Sequence, residues 1–158
     1  MNFDKAFHFL LQFEGGYVDD KNDPGGKTKY GITEAVARAN GYKGEMINFT
    51  IEEAKKIYRK NYWDSVELDT LPSILRYPLF DAAVNSGVSQ SIKWLQRSLK
   101  VKADGVWGPA TKDAVLKSDS NKVFREIINQ RLNFLTDLKT FSSFGKGWVK
   151  RVSKILTL

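Results

Sequence analysis

Helical periodicity runs through most of this sequence and fails in one place, the stretch from Tyr17 to Thr33, where Asp, Gly and Lys replace the regular apolar positions. That interruption is the strongest constraint on the fold, because helices must flank one small non-helical element. Before it, Phe3, Phe7, Leu10 and Leu11 share a face behind an Asn2 cap, and Gly15-Gly16 supplies a stop, which predicts a first helix over 3–14. Within it, Asp23-Pro24-Gly25-Gly26 is a turn signal between short extended pieces, which predicts a loop or a small β-hairpin. After it, Thr33 caps a short helix ending near Asn40-Gly41, and Thr50 with Glu53 forms a capping box ahead of Ile51, Ala54, Ile57 and Tyr58. An apolar run from beyond Leu71-Pro72 to Gly87 reads as a buried helix with Pro78 in its first turn. Further helices carry Ile92, Leu95 and Leu99, then Gly108-Pro109 through Val115, then Val123 to Leu138, and last Trp148 to Leu156. The predicted class is mainly α, with a small hairpin lobe beside the first helix. A first segment over 1–88 and a second over 89–158 are expected to pack as one body.

Absence of cysteine removes disulfides and thiolate metal sites, and the single His8 cannot build a multi-histidine site. No metal and no cofactor is expected. The acidic loop lacks the residue pattern of a calcium-binding helix-loop-helix. The formal charge of +7 points to a polyanionic partner. Lys146, Lys150, Arg151 and Lys154 are the densest basic group and read as a solvated helix face. No Sec-type signal is visible at the N-terminus and no stretch is long and apolar enough to cross a membrane, so a chain made in the cytoplasm without stable membrane insertion is expected.

Glu14 is the most informative residue. The stripe of Phe7, Leu10 and Leu11 calls for an apolar group at position 14, and the sequence places a carboxylate there. Such a partly desolvated carboxyl suits the acid that protonates a leaving glycosidic oxygen. Nine residues on lies Asp23, followed by Thr28. A hairpin folded back over the first helix would turn both toward Glu14, with Asp23 as base or electrostatic partner and Thr28 orienting a water. Asp19 and Asp20 compete with Asp23 for that role.

The blocks Glu14-Gly15-Gly16-Tyr17, Asp23-Pro24-Gly25-Gly26-Lys27-Thr28 and Tyr30-Gly31-Ile32-Thr33 closely resemble the signature of the glycoside hydrolase 108 family of N-acetylmuramidases. The resemblance continues through Tyr58, Tyr62-Trp63 and Leu79 to Gly87. Residues 92 to 154 are similar to the family's peptidoglycan-associated segment, notably Leu95-Gln96, Asp104 to Thr111, and Gly147-Trp148 with Arg151. This resemblance implies a lysozyme-like fold, Glu14 as the essential acid, and bacterial peptidoglycan rather than nucleic acid as the partner. With no Sec-type signal visible, a phage-type endolysin released to the wall through a holin or another export route is expected, acting as a monomer. Asp23 fits the glutamate-to-aspartate spacing of the wider phage lysozyme superfamily, and Thr28 falls one residue short of the threonine position.

Asp81 and Asn85, four apart on one face of an apolar helix, are expected to contact substrate, with an internal hydrogen-bonded pair as the competing reading. Arg131 falls on the apolar stripe of the long helix and calls for a carboxylate, Asp81 or Glu14. Tyr17 and Tyr30 are expected to stack on sugar faces, whereas Trp63 reads as core. The expected activity is hydrolysis of the β-1,4 bond between N-acetylmuramic acid and N-acetylglucosamine. A lytic transglycosylase that needs only Glu14, and a non-catalytic wall-binding module, are the rivals.

Overall fold

The computed structural model describes residues 1–19 and 26–158. Asp20 and Asp23 therefore lie outside the described residues. Helix α1 (Phe3–Leu11) starts where the Asn2 side chain accepts from the amide of Lys5, and buries Phe3, Ala6, Phe7 and Leu10. It ends three residues before Glu14, short of the expected 3–14. Bonds from Gln12 N–H to the Phe9 carbonyl and from Phe13 N–H to the Leu10 carbonyl tighten the last turn and take Glu14 off the helix axis.

Strands β1 (Thr28–Lys29) and β2 (Ile32–Thr33) form an antiparallel hairpin in the register Thr28 to Thr33 and Lys29 to Ile32. Val18 pairs with Thr28 on the other side of β1. The two residues of the turn, Tyr30 and Gly31, have φ of 52° and 75°. Positive φ at both positions follows the twist of a tight hairpin. Thr33 then accepts from the amide of Val36 and caps α2 (Glu34–Ala39).

The Thr50 and Glu53 capping box opens α3 (Ile51–Tyr58), as expected. A π-helical turn over Arg59–Trp63 carries the chain onward and turns Trp63 fully inward. There its ring meets Phe3 and Phe80 edge-on, each at 5.4 Å between centroids. Helix α4 (Ser73–Ser86) follows, apolar nearly all round, with Leu75, Tyr77, Leu79, Phe80, Ala82 and Ala83 buried. It begins five residues before Pro78, so that proline sits inside the helix and not in its first turn. Its missing N–H forgoes the bond to the Ile74 carbonyl.

Gly87, at φ 87°, is the only residue between α4 and α5 (Val88–Ser98). Buried Gln96 on α5 organises the next loop. Its amide nitrogen reaches Asp104 Oδ1 at 2.9 Å and Thr111 Oγ1 at 3.0 Å, and its carbonyl accepts from Gly105 N–H at 2.8 Å. The Asp104 to Thr111 block is thus a turn and a helix start, leading into α6 (Pro109–Leu116). Helices α7 (Ser120–Thr136) and α8 (Phe141–Ile155) complete the chain. Helix α4 is the axis of the molecule: α1, α5 and α7 pack on it, and α8 packs on α7. No helix among the described residues is long and apolar enough to cross a membrane.

Candidate active site

Glu14 sits where the turn leaving α1 meets the β1–β2 hairpin and the inner face of α8. Its side chain is 18% exposed, and its Oε1 accepts from Arg151 Nη1 at 3.0 Å. The other oxygen lies against the hairpin turn. A β-carbon added at Gly31 would stand 2.5 Å from Glu14 Oε2 and 2.5 Å from the Tyr58 hydroxyl. Only a glycine permits both that approach and the turn's positive φ. Tyr58 donates to the Tyr30 carbonyl at 3.0 Å and so ties the turn to α3. Burial, and then the charge of Glu14, push the phenols of Tyr58 and Tyr62 above their ordinary value. Both stay neutral around the carboxylate.

Arg151 does more than touch Glu14. Its Nε donates to Asp81 Oδ1 at 2.8 Å, and Asp81 Oδ2 meets Arg131 Nη2 at 2.6 Å. Four charges thus alternate across three helices and the α1 turn, from Glu14 to Arg151 to Asp81 to Arg131. The Arg151 guanidinium also lies over the Phe13 ring, 5.1 Å from its centroid, a cation–π contact that fixes the plane of the fork.

Asp81 is wholly buried, with its carboxylate spent on the two arginines. Its expected contact with substrate is therefore corrected. The group lies beneath the site and braces α4 against α7 and α8. Asn85 is exposed, and its amide donates to the Asp81 backbone carbonyl at 2.6 Å. It lines an open depression of about 550 Å³ together with Phe13, Trp148 and Arg151. Tyr17 is half-buried and donates to Asp19 Oδ2 at 3.3 Å; burial and that neighbour raise its phenol. Tyr30 is half-buried in the hairpin turn with the Lys29 ammonium 5.4 Å from its ring centroid. Thr28 lies in β1, and its hydroxyl donates to the Gly26 carbonyl at 3.3 Å. Asp23 lies outside the described residues.

Arg151, marked in the sequence by its block with Gly147-Trp148 but read with its lysine neighbours as a solvated face, is the partner of Glu14 that the sequence reading leaves unassigned. A signal was present. Trp148, Arg151, Val152 and Ile155 are spaced as one helical stripe, so Arg151 falls on the buried side of α8 while Lys146, Lys150 and Lys154 fall outside it.

A helical body, a hairpin lobe folded onto its first helix, and a sheltered glutamate at their junction define a lysozyme-like glycosidase. The chain belongs to the glycosyl hydrolase 108 family, whose profile matches residues 7–87, and residues 90–153 match the family described as a predicted peptidoglycan domain. The solved structure of SagA from Brucella abortus is similar at 41% identity and a TM-score of 0.86, covering 97% of this chain and 90% of that one. No curated protein matches significantly. Membership makes this chain a glycoside hydrolase directed at peptidoglycan.

Proposed function

We propose that the protein is an N-acetylmuramidase, hydrolysing the β-1,4 bond between N-acetylmuramic acid and N-acetylglucosamine with Glu14 as general acid. The observation that carries this reading is the setting of Glu14. One oxygen is clamped by Arg151 and the other is pressed into the notch that Gly31 leaves in the hairpin turn. An acid so held cannot swing away from a scissile oxygen. When its proton passes to the leaving sugar, the carboxylate that forms already has a guanidinium N–H aimed at it, and charge developing there is met without reorganisation.

Asp23 would complete the reaction by activating water or by stabilising the oxocarbenium-like centre, with Thr28 orienting that water and Tyr17, Tyr30 and Asn85 contacting the glycan. The chain works as a monomer without a cofactor, and it reaches the wall through a holin or another export route.

Loss of turbidity of purified sacculi, with mass spectrometry of the products, tests the reading. Hydrolysis yields reducing muramic acid ends. Release of 1,6-anhydro ends would instead assign a lytic transglycosylase, and no release would assign a binding module. Glu14→Gln preserves shape and removes the transferable proton, so lysis should fall at least about a hundredfold in a protein with unchanged circular dichroism. A well-folded Glu14→Gln protein that keeps a tenth of wild-type lysis would remove Glu14 from the mechanism.

A further inference from the structure

The open depression of about 550 Å³ beside Glu14 takes most of its lining from α8, through Gly147, Trp148, Lys150, Arg151 and Lys154. Phe13 lines it next to the acid in the chain, and Arg151 joins it to Glu14 Oε1. Arg151 is committed to Glu14 and Asp81, but the lysines are not. Among the described residues neither Lys150 nor Lys154 forms an ion pair, and no carboxylate lines the depression. No acidic residue follows Asp137, whereas Lys139, Lys146, Lys150, Arg151 and Lys154 do. The charge on this side of the site is therefore uncompensated.

Two features of α8 also work against the helix itself. Lys146, Lys150 and Lys154 repeat one charge at intervals of four, and like charges so placed repel along a helix face. Only Lys154, in the last turn, is helped by the helix dipole. Gly147 lies inside the helix, where glycine is less stable than alanine. Gly145 has a packing reason, since a β-carbon there would stand 2.6 Å from the Phe141 ring, but a β-carbon at Gly147 would meet nothing within 4 Å. Nor is the backbone at Gly147 left-handed. The fold has no use for bare backbone at this position, and the depression is opened by it.

We infer that the depression is a subsite for the acidic peptide stem of the glycan strand cleaved at Glu14, with the stem lying over Gly147 and its carboxylates on Lys150 and Lys154. The stem hangs from the muramic sugar, which flanks the scissile bond. A strand held at Glu14 thus brings stem carboxylates to the adjoining wall of the cleft. β-Carbons four residues apart on a helix face are about 5–6 Å from each other, a spacing that lets two flexible ammoniums meet successive carboxylates of one stem. The volume lies within the usual range of ligand sites. The ligand class rests on the muramidase reading; the unpaired lysines and the open glycine do not.

Three compounds are titrated calorimetrically into the wild-type protein at low salt: N-acetylglucosaminyl-N-acetylmuramoyl-L-alanyl-D-glutamate, the same compound with both carboxylates converted to carboxamides, and N,N′-diacetylchitobiose. None holds the bond from muramic acid to glucosamine that Glu14 is proposed to cut. The acid should bind at least about fivefold more tightly than the other two, the ratio that two exposed charge pairs supply. Lys150→Gln with Lys154→Gln should remove that preference. Lys117→Gln with Lys122→Gln, exposed and outside the depression, should keep it, although each pair lowers the net charge from +7 to +5. Gly147→Leu should weaken the acid at least about fivefold without lowering Tm, because leucine is the better helix former and its β-carbon meets no neighbour. Equal affinity of acid and carboxamide, or no measurable binding of the acid, overturns the inference. So does a preference that survives without Lys150 and Lys154, one that falls equally in the remote pair, or affinity left unchanged by Gly147→Leu. Lysis of sacculi to reducing muramic ends without acid preference leaves the muramidase reading standing and sinks the subsite; acid preference without release of glycan fragments does the reverse.

Discussion

Gly31 shows how closely the site depends on single atoms. Its φ of 75° is left-handed, and any β-carbon there would stand 2.5 Å from Glu14 Oε2. Gly31→Ala therefore meets two penalties at once: about 1–2 kcal/mol for a left-handed alanine, and displacement of the acid. A shift of the acid by a fraction of an ångström acts on the chemistry more than on the fold. Lysis of sacculi should fall at least about tenfold, while thermal unfolding moves only by what the backbone term requires. Lysis near the wild-type rate in Gly31→Ala would show that Glu14 has no need of this position. At this scale Glu14 was legible in the sequence from the distinctive block in which it stands, whereas the helical stripe on which it was read ends at Leu11. Arg151 was not, because a cation among lysines looks solvated until the stripe shared by Trp148, Val152 and Ile155 is drawn through it.

Between elements, the decisive contact is Asp81 on α4 with Arg131 on α7 and Arg151 on α8. All three groups are largely shielded from water, so their attraction is weakly screened, and removing one partner strands the others. Asp81→Asn should cost about 3–5 kcal/mol, read as a drop in Tm of roughly 10 °C, and should also slacken the hold of Arg151 on Glu14. A Tm within about 2 °C of wild type would mean that the two arginines find compensation elsewhere. The helices themselves were legible from spacing and caps, as with Thr50 and Glu53, but their ends were not. The first helix stops at Leu11 because tertiary contacts at Phe13 and Glu14 pull the chain aside, and α4 accepts Pro78 inside because apolar burial all round outweighs one missing hydrogen bond. Spacing alone carries neither effect. Asp81 was misplaced for a related reason. A polar residue on an apolar helix marks either a cleft or a buried ion pair, and only the partners on α7 and α8 decide which.

Across the whole molecule, the Glu14 to Arg151 and Asp81 to Arg131 pairs join residues 7–87 to residues 90–153, so the two family segments share one charged centre. The remaining charge is distributed otherwise. Lys146, Lys150 and Lys154 are exposed and four residues apart along α8, with Lys150 and Lys154 at the rim of the depression that Asn85 and Arg151 line, and the chain carries a net +7. Surface charges of this kind act at long range and are screened over about 10 Å at 0.1 M salt, whereas the shielded pairs around Glu14 are not. Attraction to the anionic wall should therefore weaken steeply as salt rises, and the chemistry at Glu14 should respond much less. Reversing Lys150 and Lys154 to Glu lowers the net charge from +7 to +3. That variant should bind sacculi several-fold more weakly at low ionic strength, and the gap from wild type should close as salt is raised toward about 0.5 M, where the screening length falls to a few ångströms. Pull-down of the Glu14→Gln protein, expected to be lysis-deficient, with sacculi across a salt series measures the binding apart from lysis. Binding that stays level between about 0.02 and 0.2 M salt would show that specific contacts, and not the basic face, hold the protein to the wall.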